Sequence, residues 1–314
     1  MFSKHEMETL ALILRARDVT LRKICEDYFN ATYGKHNVFA AEEYVYAAGD
    51  IPILLVAHLD TVFPKAPIIC TNKEQTIWYG KDGLGADDRA GVFAILQLIK
   101  KNSKKPSVLF TMGEELGGFG AMSFVKDFLE PPVPTKYIVE IDRRGKGQSV
   151  YYGCGNEKFE TYINSFGFNT YQGIFSDISF ICPIWNVAGV NLSAGYYNEH
   201  TELETLKLED LEYTKNKVAE MLIKSEEAPY FMYEPKPSAH SRYTKCSICG
   251  SIVSDIHIIP VGTGKDKTNC CLRCVDKYVD WCDICGEPFF VTRKEETAIC
   301  EECANELRND QETI

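Results

Sequence analysis

The sequence predicts an α/β fold: a mixed, mostly parallel sheet with helices on both faces, followed by a small cysteine-rich module. Three observations carry this. Continuous apolar runs alternate with amphipathic stretches through the first 224 residues. Several of these runs end at a histidine or an acidic residue, as strands do when their C-terminal ends form a binding edge. Nine of the 13 cysteines lie between Cys246 and Cys303, so the chain changes character near residue 245.

Residues 1–33 read as helical, with Leu10, Leu14, Leu21, Cys25 and Phe29 at roughly helical spacing. Ile51–Ala57 is an unbroken apolar run, the pattern of a strand buried on both faces. Asp88–Lys100 is expected to be a helix with Val92, Ile95, Leu96 and Ile99 on one face. Val108–Met112 is a second buried strand. Ala121–Leu129 is a helix that ends before Pro131 and Pro132. Tyr137–Ile141 is a third strand, Phe159–Phe166 a helix and Val187–Leu192 a late strand. Leu208–Lys224 closes the domain as an amphipathic helix. Ser225–Lys245, with Pro229, Pro235 and Pro237, reads as a linker. The plan is therefore a domain over 1–224, a linker over 225–245 and a module over 246–314.

The chain of 314 residues is long enough for one large core and an appendix. A net charge of −11 argues against a basic face for nucleic acid or anionic membranes. No apolar run approaches the ~20 residues of a membrane span. The N-terminal apolar residues are interrupted by charges, with no small-residue cleavage site. With C-x-x-C pairs and no secretory layout, a reducing cytoplasm is expected.

The adjacent Glu114 and Glu115 follow a buried strand, where like charges are costly unless something positive sits between them. Four more ligand-type residues have similar settings: His58, Asp87, Asp142 and His200. His58, the glutamate pair and Asp142 each follow a predicted strand. Asp87 opens a helix, and His200 lies in the loop after the late strand. Zinc takes imidazole and carboxylate ligands and, in catalytic sites, keeps a position for water. Two ions ~3.5–4 Å apart need a bridging carboxylate. One glutamate of the pair would then be a ligand and the other a base. Singly, each residue has a plainer reading, such as a helix cap for Asp87 or a solvated loop for Glu114 and Glu115. Asp177 suits a helix cap. Arg143 and Arg144 suit a solvated turn. The hydroxyl of Tyr196 or Tyr197 would suit an oxyanion.

The motifs His58-Leu59-Asp60, Ala86–Gly91 (ADDRAG), Gly113–Gly117 (GEELG), Ile141–Gly145 (IDRRG) and Asn198–Glu204 (NEHTELE) occur in that order. In this the chain resembles the co-catalytic di-zinc exopeptidases, a group holding compact bacterial aminopeptidases, peptidase T and glutamate carboxypeptidases. The resemblance spans about residues 40–224. It implies that His58 and Asp142 bind one zinc, that Glu115 and His200 bind the other, and that Asp87 bridges them. It further implies Glu114 as general base and Asp60 as the carboxylate that orients His58. For Asp177 the resemblance to compact aminopeptidases implies a place near the site instead of a helix cap. Manganese or cobalt would also suit such a site. Only 57 residues separate Asp142 from His200, too few for the lid domain of the carboxypeptidase-like branches. Only 28 separate His58 from Asp87, so the insertion of the tetrahedral aminopeptidases is missing as well.

The cysteines form two quartets, Cys246, Cys249, Cys271 and Cys274, then Cys282, Cys285, Cys300 and Cys303. Both fit four-thiolate structural zinc sites of the zinc-ribbon or treble-clef type. Sequential pairing is the first expectation, with interleaved pairing open. Residues 241–314 carry nine basic against 13 acidic residues, a net of −4 that suits a protein partner better than nucleic acid.

The chain is thus expected to be a cytoplasmic di-zinc metallohydrolase with two further structural zincs. It would cleave peptide bonds, as an aminopeptidase in the first instance. A deacylase of non-peptide amides and a non-catalytic zinc-finger binding protein with a vestigial site are the alternatives.

Overall fold

The computed structural model describes residues 2–173, 175–234, 243–250, 252–254, 258–262, 267–282, 284–285, 288–292 and 298–305. The chain divides into two compact units, Met1–Lys236 and Pro237–Ile314.

The large unit opens with α1 (Lys4–Arg15) and α2 (Asp18–Tyr33). The single helical stretch expected over 1–33 is broken at Ala16 and Arg17, which are extended. Ser3 and Glu6 form a capping box that fixes the start of α1. The strands that follow are β1 (Val38–Ala40), β2 (Tyr44–Ala47), β3 (Ile51–His58), β4 (Ile69–Thr71) and β5 (Ile77–Gly80). After α3 (Ala86–Lys101) come β6 (Pro106–Thr111), α4 (Phe119–Asp127), β7 (Tyr137–Arg143), β8 (Gln148–Val150), α5 (Glu157–Asn164) and β9 (Asn169–Thr170). Then follow α6 (Ile178–Trp185), β10 (Gly189–Ser193), β11 (Tyr196–Tyr197), β12 (Thr205–Lys207) and α7 (Leu208–Ile223).

Eight strands form the central sheet in the order β1-β2-β6-β3-β7-β10-β8-β9. Its middle, β6-β3-β7-β10, is parallel, and β2 and β8 pair antiparallel to it. The predicted mixed, mostly parallel sheet is present. The continuous apolar runs of β3 and β6 are buried throughout apart from Pro52, because side chains on both faces meet helices. Ile53, Leu55, Ala57 and Phe110 pack with α1, α2, α3 and α7 in one core. On the other face Phe124 of α4 meets Tyr46 and Trp185 of α6 at ring centroids of 5.2 and 5.4 Å. A second sheet, β11-β12-β5-β4, was not foreseen; its short strands lack a continuous apolar run.

The expected linker begins later than residue 225. Ala228 and Phe231 are buried in the large core, and Phe231 N–H donates to the Lys136 carbonyl at 2.9 Å. Residues 235–242 of that linker lie outside the described residues.

Among the described residues of the small unit, three two-stranded ribbons pair β13 (Tyr243–Lys245) with β14 (Ile252–Ser254), β15 (Ile258–Val261) with β16 (Thr268–Cys271), and β17 (Val279–Trp281) with β18 (Pro288–Phe290). Helix α8 (Leu272–Tyr278) follows β16.

Candidate metal centre

β3 lies between β6 and β7, so the C-terminal ends of three parallel strands meet at one rim. His58 ends β3, Asp142 lies at the end of β7, and Glu114 and Glu115 follow β6. Asp87 enters from the start of α3, where Asp87 and Asp88 are non-helical and joined by a cis peptide bond. Helical geometry therefore starts after them, later than the expected start at Asp88. His200 enters from the loop after β11 with φ +61°, a left-handed conformation uncommon for a side-chain-bearing residue.

The residues converge as the sequence motifs imply. Asp87 turns one oxygen to each histidine. Its Oδ1 is 3.3 Å from His58 Nε2 and its Oδ2 3.1 Å from His200 Nε2. Asp142 Oδ1 stands 3.6 Å from the same nitrogen of His58. Glu115 Oε2 stands 3.0 Å from His200 Nε2. Glu114 Oε2 is farther out, 4.0 Å from His58 Nε2. His58 is buried, whereas the His200 side chain is 50% exposed.

Asp60 does more than expected. Its Oδ1 lies 3.4 Å from His58 Nδ1, and its carboxylate accepts the amides of Glu114 and Glu115 at 3.4 and 3.3 Å. One carboxylate thus orients a histidine and the glutamate turn together.

The electrostatics show a centre short of positive charge. Burial, and then Asp142 and other nearby acids, push the Glu114 carboxyl up to about 9. Burial and the Asp87 charge push Asp142 to about 7. Glu115 is raised by burial and by Asp87. Burial disfavours a charged His58, yet Asp142, Asp60 and Asp87 hold its pKa well above the usual imidazole value. The hydrogen bond to Asp87 lifts His200 to about 9. Glu115 Oε1 is buried without a hydrogen-bond partner. Packed carboxylates, an orphaned carboxylate oxygen and two imidazoles sharing one aspartate are a donor set that fits divalent cations.

The other residues that the sequence singled out are placed as follows. Asp177 precedes α6 but makes no cap hydrogen bond; it accepts from the Thr111 hydroxyl, and its Oδ1 is buried and unpartnered. Tyr196 donates to Asp142 Oδ1 at 3.1 Å and Tyr197 to Asp210 at 2.8 Å, so Tyr197 is occupied elsewhere. Arg144 is paired with Glu199 at 2.8 Å.

Sequence reasoning missed several buried polar groups. Asp88 accepts the His58 amide at 3.3 Å. Glu140 is buried and accepts from Ser176. The two-residue period of β7 places Glu140 on the face of Asp142, a signal that was available. Glu204 is fully buried and accepts the amides of Leu84, Gly85 and Asp87. Burial raises Glu204 to about 7 against these three donors.

In the small unit the thiols group sequentially, Cys246, Cys249, Cys271 and Cys274 in one cluster and Cys282, Cys285, Cys300 and Cys303 in the other. Ligand atoms within each cluster lie within 4.8 Å of one another. The amide of the third cysteine donates to the sulfur of the first in both, at 3.3 Å for Cys271 to Cys246 and 3.4 Å for Cys300 to Cys282. The buried Cys270 belongs to neither cluster.

Residues 39–173 match Peptidase family M28, a stretch that holds His58, Asp87, Glu114, Glu115 and Asp142 but not His200. The chain is 31% identical over 137 residues to a probable carboxypeptidase of Aspergillus flavus; the aligned part is 40% of this chain and 31% of that protein. The chain thus spans about a third of the length of the curated relatives it matches. Among solved structures it is similar to a TET aminopeptidase of a marine-sediment Thaumarchaeota archaeon, with a TM-score of 0.58 at 13% identity over 70% of this chain and 97% of that one. It is also similar to a tripeptidase of Staphylococcus aureus, with a TM-score of 0.55 at 14% identity over 71% of this chain and 98% of that one. The large unit has the fold of these aminopeptidases.

Proposed function

We propose that the large unit is a co-catalytic two-metal exopeptidase, acting first as an aminopeptidase. The observation that carries this is the divided Asp87 carboxylate, with one oxygen on the His58–Asp142 side and the other on the His200–Glu115 side. The M28 match supports a peptide hydrolase. His58, Asp87 and Asp142 would hold one zinc, and His200, Asp87 and Glu115 the second. Such a pair of ions supplies Lewis acidity toward a scissile carbonyl and lowers the pKa of water.

Glu114 is the general base, because its Oε2 stands 4.0 Å from His58 Nε2, farther than Asp60, Asp87, Asp142 or Glu115 from its histidine nitrogen. After taking the proton it would deliver it to the leaving amine. Asp60 keeps Glu114 and His58 in register. Tyr196 fixes Asp142. The two thiol quartets would each hold a structural zinc. The small unit's acidic sequence fits a protein partner, without nucleic acid or membrane binding. Among the described residues no helix is long and apolar enough to cross a membrane, and the thiol-rich sequence suits the cytoplasm.

A carboxypeptidase is the second reading, favoured by the name of the Aspergillus relatives. Against it, the segment between Asp142 and His200 is used by β8, α5, β9, α6, β10 and β11, and its described residues hold no lid domain. Peptides blocked at one terminus or the other, with N-acylated amides beside them, separate the readings. Zinc-dependent turnover only of substrates with a free amino terminus is expected. Turnover only of amino-blocked, free-carboxylate peptides would overturn the aminopeptidase assignment, and no turnover of any amide would overturn the enzyme.

A further inference from the structure

Glu204 ends the NEHTELE motif and has no part in the chemistry above. Its surroundings are specific. It is fully buried, on the same loop as His200, at the entrance to β12. Its Oε2 accepts the amides of Leu84 at 3.1 Å and Gly85 at 2.5 Å, and its Oε1 accepts the amide of Asp87 at 3.0 Å. Its own amide donates to the Thr201 carbonyl at 3.1 Å, which closes the His200 turn. Gly85 has φ +70°, and a Cβ there would meet Thr61 Oγ1 at 3.0 Å, so the turn cannot easily be built another way.

A buried carboxylate satisfied by three backbone amides forms charge-assisted, directional bonds. No neutral side chain of that shape replaces them, since an amide puts an N–H where an acceptor is needed. The bonds converge on the turn that delivers Asp87, and the carboxylate comes from the loop that delivers His200. Asp87 and His200 are two of the three donors on the more exposed side of the centre.

We propose that Glu204 is a positioning residue that latches the His200 loop to the Asp87 turn and so sets the affinity of the His200-side metal position. This rests on the two-metal reading. The His58-side position shares only Asp87 with the latch, because His58 and Asp142 are carried by β3 and β7. Losing the latch should therefore weaken one position far more than the other.

The test uses the full chain with its thiolate sites filled by zinc, titrated with cobalt(II) alone. Thiolate-to-cobalt charge-transfer bands report any exchange at the cysteines. Wild type is expected to take up two cobalt ions outside them. Glu204→Gln should weaken one of these tenfold or more, the scale seen for partners of metal ligands, and leave the other within threefold. Turnover should fall at limiting metal and return at saturating metal, with KM within threefold of wild type. Glu204→Asp keeps the charge but shortens the reach, and should lie between the two. Two unchanged affinities in Glu204→Gln, or a loss of turnover that metal does not restore, would overturn the latch. If Glu204→Gln fails to fold, unchanged affinities in Glu204→Asp would do so. Wild type that binds no cobalt outside the cysteines would overturn the two-metal reading and the latch with it.

Discussion

Replacing Glu114 by Gln should separate proton transfer from metal holding. The structure gives the reason for expecting a clean split. Glu114 Oε2 is 4.0 Å from the nearest histidine nitrogen, whereas Glu115 Oε2 is 3.0 Å from His200. Both backbones are pinned by the same Asp60 carboxylate, so exchanging either side chain leaves the turn in place. Glutamine keeps the shape of Glu114 and removes only its capacity to take a proton. Loss of a general base costs ~10²–10⁴-fold in turnover, which is ~2.7–5.4 kcal/mol of barrier. The expected result is turnover of the best peptide reduced to that extent, with metal content unchanged. Glu115→Gln should lower metal content instead. The assay is elemental analysis of both variants beside kcat and KM. Equal metal loss in the two, or a Glu114→Gln enzyme within threefold of wild type, would refute the assignment.

Two further outcomes follow from the same geometry. In the metal-free large unit, burial raises Glu114 to about 9 and Asp142 and Glu204 to about 7, all above free carboxyl values. The folded state then holds more protons than the unfolded state from about pH 4.5 to pH 9, so stability falls as pH rises through that window. Calorimetry after chelation that spares the thiolates should show Tm falling over this range, and a flat or rising Tm would contradict it. In the small unit, Cys303→Ser should remove one structural zinc and leave the catalytic pair, because only one thiol quartet is broken. Elemental analysis checks this; loss of both structural zincs would show that the two clusters are not separate sites.

Three of the candidate positions were legible as polar residues where an apolar run stops, whereas Asp87 and His200 were legible only as parts of motifs. A histidine after Ile51–Ala57 or an aspartate after Tyr137–Ile141 stands out against its neighbours. The four parallel strands β3, β6, β7 and β10 were legible from their continuous apolar runs, whereas the short strands at the sheet edges and in the second sheet were not. The break at Ala16 and Arg17 was not, since apolar residues keep helical spacing on both sides of it. The end of the large unit was misplaced because Phe231 sits among prolines, and its burial against the core is a long-range contact. For Asp177 the sequence left a helix cap and a place near the site open, and only the fold shows it close enough to His58 and Glu114 to feel their charge, with Thr111 within its reach. Asp88 was passed over beside Asp87, although it is more deeply buried and holds the His58 backbone. Glu204 was visible only as the last letter of a motif, because its partners are backbone amides some 120 residues away.

The two kinds of proposed metal site also differ in how much chain each needs. Each thiol quartet is drawn from a short local segment, Cys246 to Cys274 or Cys282 to Cys303. A zinc ion can therefore gather its ligands before any other tertiary structure exists, and its binding energy becomes folding energy. The large centre joins His58 to His200 across three strands and two loops. None of its donors are neighbours until the β6-β3-β7 order is complete, so this centre can be charged only after folding. During biosynthesis the small unit would thus need zinc as it emerges, whereas the large unit would emerge as an empty, internally repelling apoprotein. Zinc scarcity would accordingly deprive the first of its structure and the second of its chemistry and of the stability that bound metal adds.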